Sequence, residues 1–518
     1  MTTLQPVPAR FAPSGLVCAI DHLAAGAGAD LLRRGGSAAD AAVATSAVLA
    51  VTSQQVCGMG GDLWAVVHTG GTGGVVALNA SGRAGSGADP ERLRRRGLDR
   101  MPAFGDPASV TVPGCVDGWL ALHQRFGRLP LADVLAPARR YAVEGFPASP
   151  ALVASFPAVA HLPDAEDYRV AGGLSPGSLV RRPGVGRALD AIIDGGRDAF
   201  YQGEFAAGFI AATGDEHRPG DLARPHADWV DAVSVEAWGH RLWTAPPNSQ
   251  GYLTLAAAWI AGGLDLPDSP EDPRWAHLLL EAARQAGYDR LAVLHEGADA
   301  AALLDPDRLG PRRAAIDPER AGDLGVPAGA GDTIGLCAVD ADRQGVSLIQ
   351  SNASGWGSGL IVPGLRIFLH NRGRGFSLEP GHPAEYGPGR RPPHTLAPTL
   401  VTGRDGRLRA VLATMGGDGQ PQILLQLIAR LLRSPSGPSE SVAAGRWALG
   451  APLGPDGRPS GDGFETWRAG GRVAVHVEGH AAAGWAAGLR RLGHEVVVDP
   501  AWSSAFGHAH AIDVGPSV

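Results

Sequence analysis

The 518-residue chain carries 52 acidic and 45 basic side chains, a net charge of −7, and no long basic stripe, which argues against nucleic acid as a partner. Hydrophobic residues make up 44% and charged ones 19%, the balance of a soluble globular protein, and length alone suggests about two to four domains. The 74 glycines and 41 prolines scatter without a period, so collagen-like and low-complexity readings fail.

No lysine occurs: every cationic side chain is an arginine, a compositional bias rather than a binding feature. The four cysteines, Cys18, Cys57, Cys115 and Cys337, form no CxxC pair, which argues against a zinc site or a disulfide framework. The opening MTTLQPVPARFAPSG lacks the basic-then-apolar layout of a secretory signal, and the apolar run Ala41–Val51 is too short to span a bilayer. A cytoplasmic protein with no membrane association is the expectation.

In chain order, residues 1–13 read as a tail, Leu16–Ile20 as a strand and His22–Arg34 as a helix stopped by Gly35-Gly36. Ser37 can cap the next helix, with Asp40 near its positive end and Ala41–Val51 as its body. The glycine-rich turn CGMGGD then leads into a strand at Leu63–His68, and Val75–Leu78 after a short turn predicts an antiparallel hairpin. From about 110 to 330 apolar residues recur at helical spacing, so that stretch is expected to be mainly helical. Beyond 333 the texture changes to strands at 334–340, 345–351, 361–369, 398–402 and 409–414. A helix at Pro421–Arg433 and a final strand, helix and strand complete an α/β layered reading.

Neither GMGGD (58–62) nor MGGDGQ (415–420) is a P-loop, because no Lys-Ser/Thr follows; tight turns are the plain reading. The second could also present consecutive N–H groups to an oxyanion. No HExxH or paired-carboxylate motif occurs, so no metal is expected. The stretch GAGDTIGLCAVD (329–340) differs, because a threonine opens a buried strand behind Gly331 and Asp332. As the first residue of a cleaved chain, Thr333 would carry both nucleophile and base, its own hydroxyl and α-amine. In the uncleaved chain the same hydroxyl can attack the Asp332 carbonyl, and Gly331 gives the backbone room to bend.

The blocks around it carry a resemblance. GGSAADAAVATSAVLAVTSQQVCGMGGDLWAVV (35–67), TVPGCVDGWLALHQRFGRLPLADVLAPARRYAVEGFP (111–147), APPNSQGYLTL (245–255), GDTIGLCAVDADRQGVSLIQSNASGWGSGLIVPG (331–364), RPPHTLAPTLV and MGGDGQPQ follow in the order of the γ-glutamyltranspeptidase family. The chain is similar to that family over essentially residues 14–515.

The resemblance implies an N-terminal nucleophile hydrolase: a four-layer αββα sandwich made as one precursor and cut between Asp332 and Thr333. Residues 1–332 would form the large subunit and 333–518 the small catalytic one, together one αββα unit, an αβ heterodimer whose further dimerisation stays open. Thr333 falls on the family's nucleophile, Ser351 on a hydroxyl that orients it, and Gly416 and Gly417 on the oxyanion glycines. His394 and Thr395 stand where the family usually has two serines contacting the substrate carboxylate, and Asn352 is grouped with the substrate-binding residues. No cofactor and no metal are implied.

Two departures bear on the substrate. The family's carboxylate-gripping arginine follows Asn-Ala directly, whereas here Asn79-Ala80-Ser81-Gly82 precedes Arg83. Where the family has an aspartate for the substrate α-amine this chain has Gly375, and the neighbouring acidic or amide position is Arg372. An ammonium loses its counter-charge there while a carboxylate gains one. The segment SLEPGHPAEYGPGRRP is also shorter than the family's lid region, so a more open site is expected.

The expected activity is that of an autoprocessing γ-glutamyltransferase or hydrolase, passing its acyl group to water or an amine. One alternative is an acylase for glutaryl-like amides, which Arg372 and Gly375 favour. Another is an uncleaved, inactive homologue serving as a binding protein.

Overall fold

Side-chain alternation along the strands decides the layering of the chain, for which the computed structural model describes residues 9–323, 333–450 and 473–515. In the strand Asp62–Thr69, Leu63, Ala65 and Val67 join one hydrophobic cluster while Trp64 and Val66 join another. Successive residues of a strand face opposite sides, so a strand apolar on both needs cover on both. One side is covered by helices, among them Ala38–Thr52, Cys115–Phe126 and Leu131–Glu144. The other side meets a second sheet through Cys337, Ile349, Leu400, Val411 and Ala413. The far face of that sheet is closed by the helices Tyr252–Gly262, Pro273–Gly287 and Gln420–Arg433. The fold is therefore the expected four-layer αββα sandwich.

The first sheet has six antiparallel strands in the order 16–18, 334–339, 344–351, 62–69, 75–80 and 228–231. The second has five, in the order 509–513, 408–414, 399–402, 240–244 and 233–237. Each mixes strands from before and after residue 333, so the two segments share their cores.

Many of the expected elements are present. The helix Ala38–Thr52 is buried along its whole length and begins with a capping box: Ser37 Oγ accepts the Asp40 N–H at 3.1 Å, and Asp40 Oδ2 accepts the Ser37 N–H at 2.9 Å. The hairpin of Asp62–Thr69 with Val75–Ala80 is antiparallel as predicted.

Three expectations need correcting. The stretch taken as mainly helical contains the strands Asp228–Asp231, Val233–Ala237 and His240–Thr244. Partners distant in sequence determine them, since Asp231 pairs with Val76 and Leu242 with Val401. The run 361–369 is two dipeptide strands around a turn, Ile361–Val362 and Ile367–Phe368, rather than one strand. The strand Ala509–Asp513, which completes the second sheet, lies beyond the last predicted element.

Candidate active site

Strand register gathers the first group of side chains. Gln350 stands opposite Ile334, and Ser351 opposite Asp62. One step further along, Thr333, Ser351 and Asp62 therefore form a row across one end of the six-stranded sheet, where facing side chains come close. All three are fully buried. Thr333 Oγ lies 3.1 Å from Ser351 Oγ, and Ser351 Oγ accepts the Ala353 N–H at 2.8 Å. The two hydroxyls can share a proton in either direction. Asp332 lies outside the described residues.

The two sheets touch close to this row. A Cβ on Gly335 would stand 2.9 Å from Thr414 N and from the Ala413 Cβ, so only glycine allows the strand headed by Thr333 to lie against the strand that ends at Thr414. The chain then turns through Gly416 at φ 131° and Gly417 at φ 51°, conformations open to glycine. Their carbonyls are tied back: Gly416 O accepts the Gly419 N–H at 2.8 Å and Gly417 O accepts Gln250 Nε2 at 3.0 Å. Among the described residues, the Gly416 and Gly417 N–H groups donate to no protein acceptor. The positive end of the helix Gln420–Arg433 follows directly. Two buried N–H groups at a helix start are suited to a developing oxyanion.

The second group is built of charges. Asp62 Oδ2 accepts Arg372 Nε at 2.6 Å and His394 Nε2 at 2.9 Å, and His370 Nδ1 lies 3.3 Å away. Burial by itself raises the Asp62 carboxyl, but the Arg372 guanidinium, with His394 and His370, holds it well below the usual carboxylate range. His394 Nδ1 accepts the Leu396 N–H at 3.2 Å, so its proton sits on Nε2 and points at Asp62. Burial, reinforced by the nearby Arg372 charge, lowers His394 to about 4 against the pull of Asp62, and the ring is neutral at pH 7. Arg372 Nη1 continues to Thr395 Oγ1 at 3.0 Å.

Arg372 and Thr395 line a cavity of about 340 Å³ together with Arg290, Arg374, Phe376 and Asp418. Arg290 and Asp418 are paired there at 3.1 Å, both buried, and Asp418 is the residue after Gly417. Gly375 also lines it, and a Cβ at that position would lie 2.5 Å from the Pro393 carbonyl oxygen, so the backbone leaves no room for a side chain. The segment 248–250 is the brace. Asn248 Nδ2 donates to Pro392 O, Ser249 Oγ to Leu396 O, and Gln250 Nε2 to both Thr395 O and Gly417 O.

The structure thus brings together Thr333 and Ser351, with Arg372, His394 and Thr395 joined to them through Asp62. His394 has both ring nitrogens occupied by protein partners. Asn352 follows Ser351 and supports the loop beneath it, donating Nδ2 to Gln54 O at 2.8 Å. Arg83 stands apart from the cavity lining, paired with Glu296 and donating to Gly389 O at 3.1 Å. Sequence reasoning did not single out Asp62, His370, Gln250, Arg290 or Asp418. The signal available for Asp62 was a carboxylate directly behind GMGG at a strand entrance.

A sandwich of this layering, with a threonine at the head of a central strand and free N–H groups at a facing glycine turn, defines the N-terminal nucleophile hydrolase class. Within that class the chain belongs to the gamma-glutamyltranspeptidase family, whose profile matches residues 24–517. It is 35% identical over 517 residues to an oxamate amidohydrolase proenzyme of Klebsiella pneumoniae, covering 96% of this chain and 94% of that one. It is 34% identical to a glutathione hydrolase-like proenzyme of Bacillus subtilis, with the same coverage. Among solved structures, a cephalosporin acylase from Bacillus halodurans superposes with a TM-score of 0.87 at 31% identity, covering 100% of this chain and 95% of that one.

Proposed function

We propose that this chain is a self-cleaving amidohydrolase with Thr333 as its nucleophile, acting on amides whose acyl group ends in a carboxylate. The observation that carries the reading is the buried Thr333–Ser351 hydroxyl pair, set in one row with a carboxylate that clamps Arg372 at the cavity wall. Cleavage between Asp332 and Thr333 frees the α-amine that serves as base. Thr333 Oγ then attacks the substrate carbonyl, its proton passes to that amine, and the Gly416 and Gly417 N–H groups receive the oxyanion. The C–N bond breaks as the proton moves on to the departing nitrogen. Water adds to the acyl ester by the same route and restores the hydroxyl.

Support for the carboxylate comes from charge. Arg100, Arg290, Arg372 and Arg374 line the cavity against Asp99, Glu379 and Asp418; Asp99 and Glu379 are exposed, and the buried carboxylate, Asp418, is already paired with Arg290. A relative bearing the name oxamate amidohydrolase and a neighbour named cephalosporin acylase agree with such a substrate. A second reading, a γ-glutamyl hydrolase, draws on Asp418 itself, which would hold an ammonium if Arg290 moved away.

The absence of lysine gives a clean assay. The denatured, uncut chain has a single primary amine, at its N-terminus, and the cut protein has two. Wild type is expected to give two bands and both amines, with Thr333 first in the smaller product. Thr333→Ala is expected to remain one band of 53.2 kDa and to be inactive; a variant that still splits disproves the assignment. Rates on oxamate, a glutaryl anilide and a γ-glutamyl anilide then separate the substrate readings. Preference for the γ-glutamyl compound favours the second.

A further inference from the structure

The glycines of GMGGD have no assigned role in the chemistry above, yet they are forced by what they approach. A Cβ on Gly60 would stand 2.2 Å from Phe368 O, and one on Gly61 would stand 2.4 Å from Ser351 O. The pair lets the strand entrance settle between the end of the Ser351 strand and the segment that begins at Phe368. That descent delivers the Asp62 carboxylate, with no solvent exposure, between His370, Arg372 and His394.

We infer that Asp62 decides the charge of the acyl head this site accepts: it locks Arg372 so that a carboxylate, and not an ammonium-bearing head, is received at the cavity wall. The inference rests on the amidohydrolase reading and deepens it. Asp62 is a positioning residue, since it acts through Arg372. The guanidinium spends Nε and Nη2 on Asp62, at 2.6 and 3.4 Å, and turns Nη1 to the Thr395 side, where both residues line the cavity. A planar fork held along one edge by a buried carboxylate cannot swing away when a substrate arrives, so little ordering remains to be done on binding. His394, neutral and committed to Asp62 and the Leu396 N–H, completes the clamp rather than meeting the substrate. Without Asp62, Arg372 would be a buried cation lacking its carboxylate, which proteins avoid by moving the side chain. The substrates selected are monoamides of short dicarboxylic acids with no amino group beside the free carboxylate.

The experiment uses the full-length, self-processed protein and the variant Asp62→Asn, assayed on a glutaryl anilide and on the butyryl anilide that lacks its carboxylate. Expected is a rise in KM for the glutaryl compound of about tenfold or more, with kcat changed less than about threefold, and a clearly smaller change on the butyryl compound. Arg372→Gln should produce the same change, and the double variant should add nothing to it. Equal losses on both anilides, or additive effects in the double variant, would overturn the inference. Glutarate binding read by thermal shift gives a test free of turnover: wild type is stabilised and Asp62→Asn is not. A wild type that binds glutarate but hydrolyses no amide defeats the amidohydrolase reading alone, whereas a wild type indifferent to glutarate defeats the role of Asp62. Should Asp62→Asn fail to mature, Arg372→Gln, in which Asp62 retains both histidines, supplies the same discrimination.

Discussion

The two ends of the candidate site are built from different materials. At the proposed nucleophile end, Thr333 and Ser351 are uncharged hydroxyls placed by strand register, and the Gly416–Gly417 turn offers backbone N–H groups. At the proposed acyl end, Asp62, Arg372 and His394 are side chains whose buried charges and dipoles satisfy one another. Backbone geometry is fixed by the sheets, so the first end holds its shape whatever the substrate. Charge complementarity depends on a few side chains, so the second is where we expect acyl-group preference to be set, without altering the chemistry.

The largest effect expected from a variant that still matures is at the glycine turn. Gly416→Ala puts a side chain at φ 131° and a Cβ 2.8 Å from Ile423 Cδ1, displacing the N–H groups. A fall in kcat of about 10²–10³ is expected, for carboxylate-bearing and neutral acyl groups alike. A loss confined to one substrate would erase the distinction between the two ends. Ser351→Ala removes the hydroxyl that lies 3.1 Å from the proposed nucleophile, Thr333. About tenfold in kcat is expected, with KM for glutaryl and butyryl anilides unchanged, as pre-steady-state kinetics would reveal.

A separate effect is on stability, read in thermal melts rather than in rates, and concerns acid. His394, His217 and His510 are lowered to about 4 by burial, and the unfolded chain protonates histidine near its ordinary value. Between pH 6.5 and about 4 the unfolded state therefore binds more protons, and stability falls as pH falls. Each such histidine costs about 1.4 kcal/mol per pH unit across that window. Thermal melts should show Tm declining from about pH 6, before most carboxylates titrate, and His394→Gln should flatten the slope. A Tm unchanged down to pH 4.5 would show that these rings are already charged in the fold.

Much of the nucleophile end was legible in the sequence because it depends on short contiguous segments. A Gly-Asp-Thr step before an apolar run, a serine closing the next strand and a double glycine before a helix each carry their meaning locally. The layered fold was legible for a similar reason, since helical and strand periodicities are properties of neighbouring residues. The strands Val233–Ala237 and His240–Thr244 were not, because the second of them takes its place from residues 399–402. Arg83 was expected to grip a substrate carboxylate; in the fold it pairs with Glu296 and donates to Gly389 O.

The sequence by itself determined which groups can do chemistry, their order along the chain, and that position 372 had become cationic. Tertiary structure alone decided what that cation faces. Asp62 and Arg372 are 310 residues apart, and they meet because Gly60 and Gly61 let one strand entrance approach two backbone oxygens. A buried charge takes its meaning from its partner, and nothing local in the chain specifies a partner at that distance.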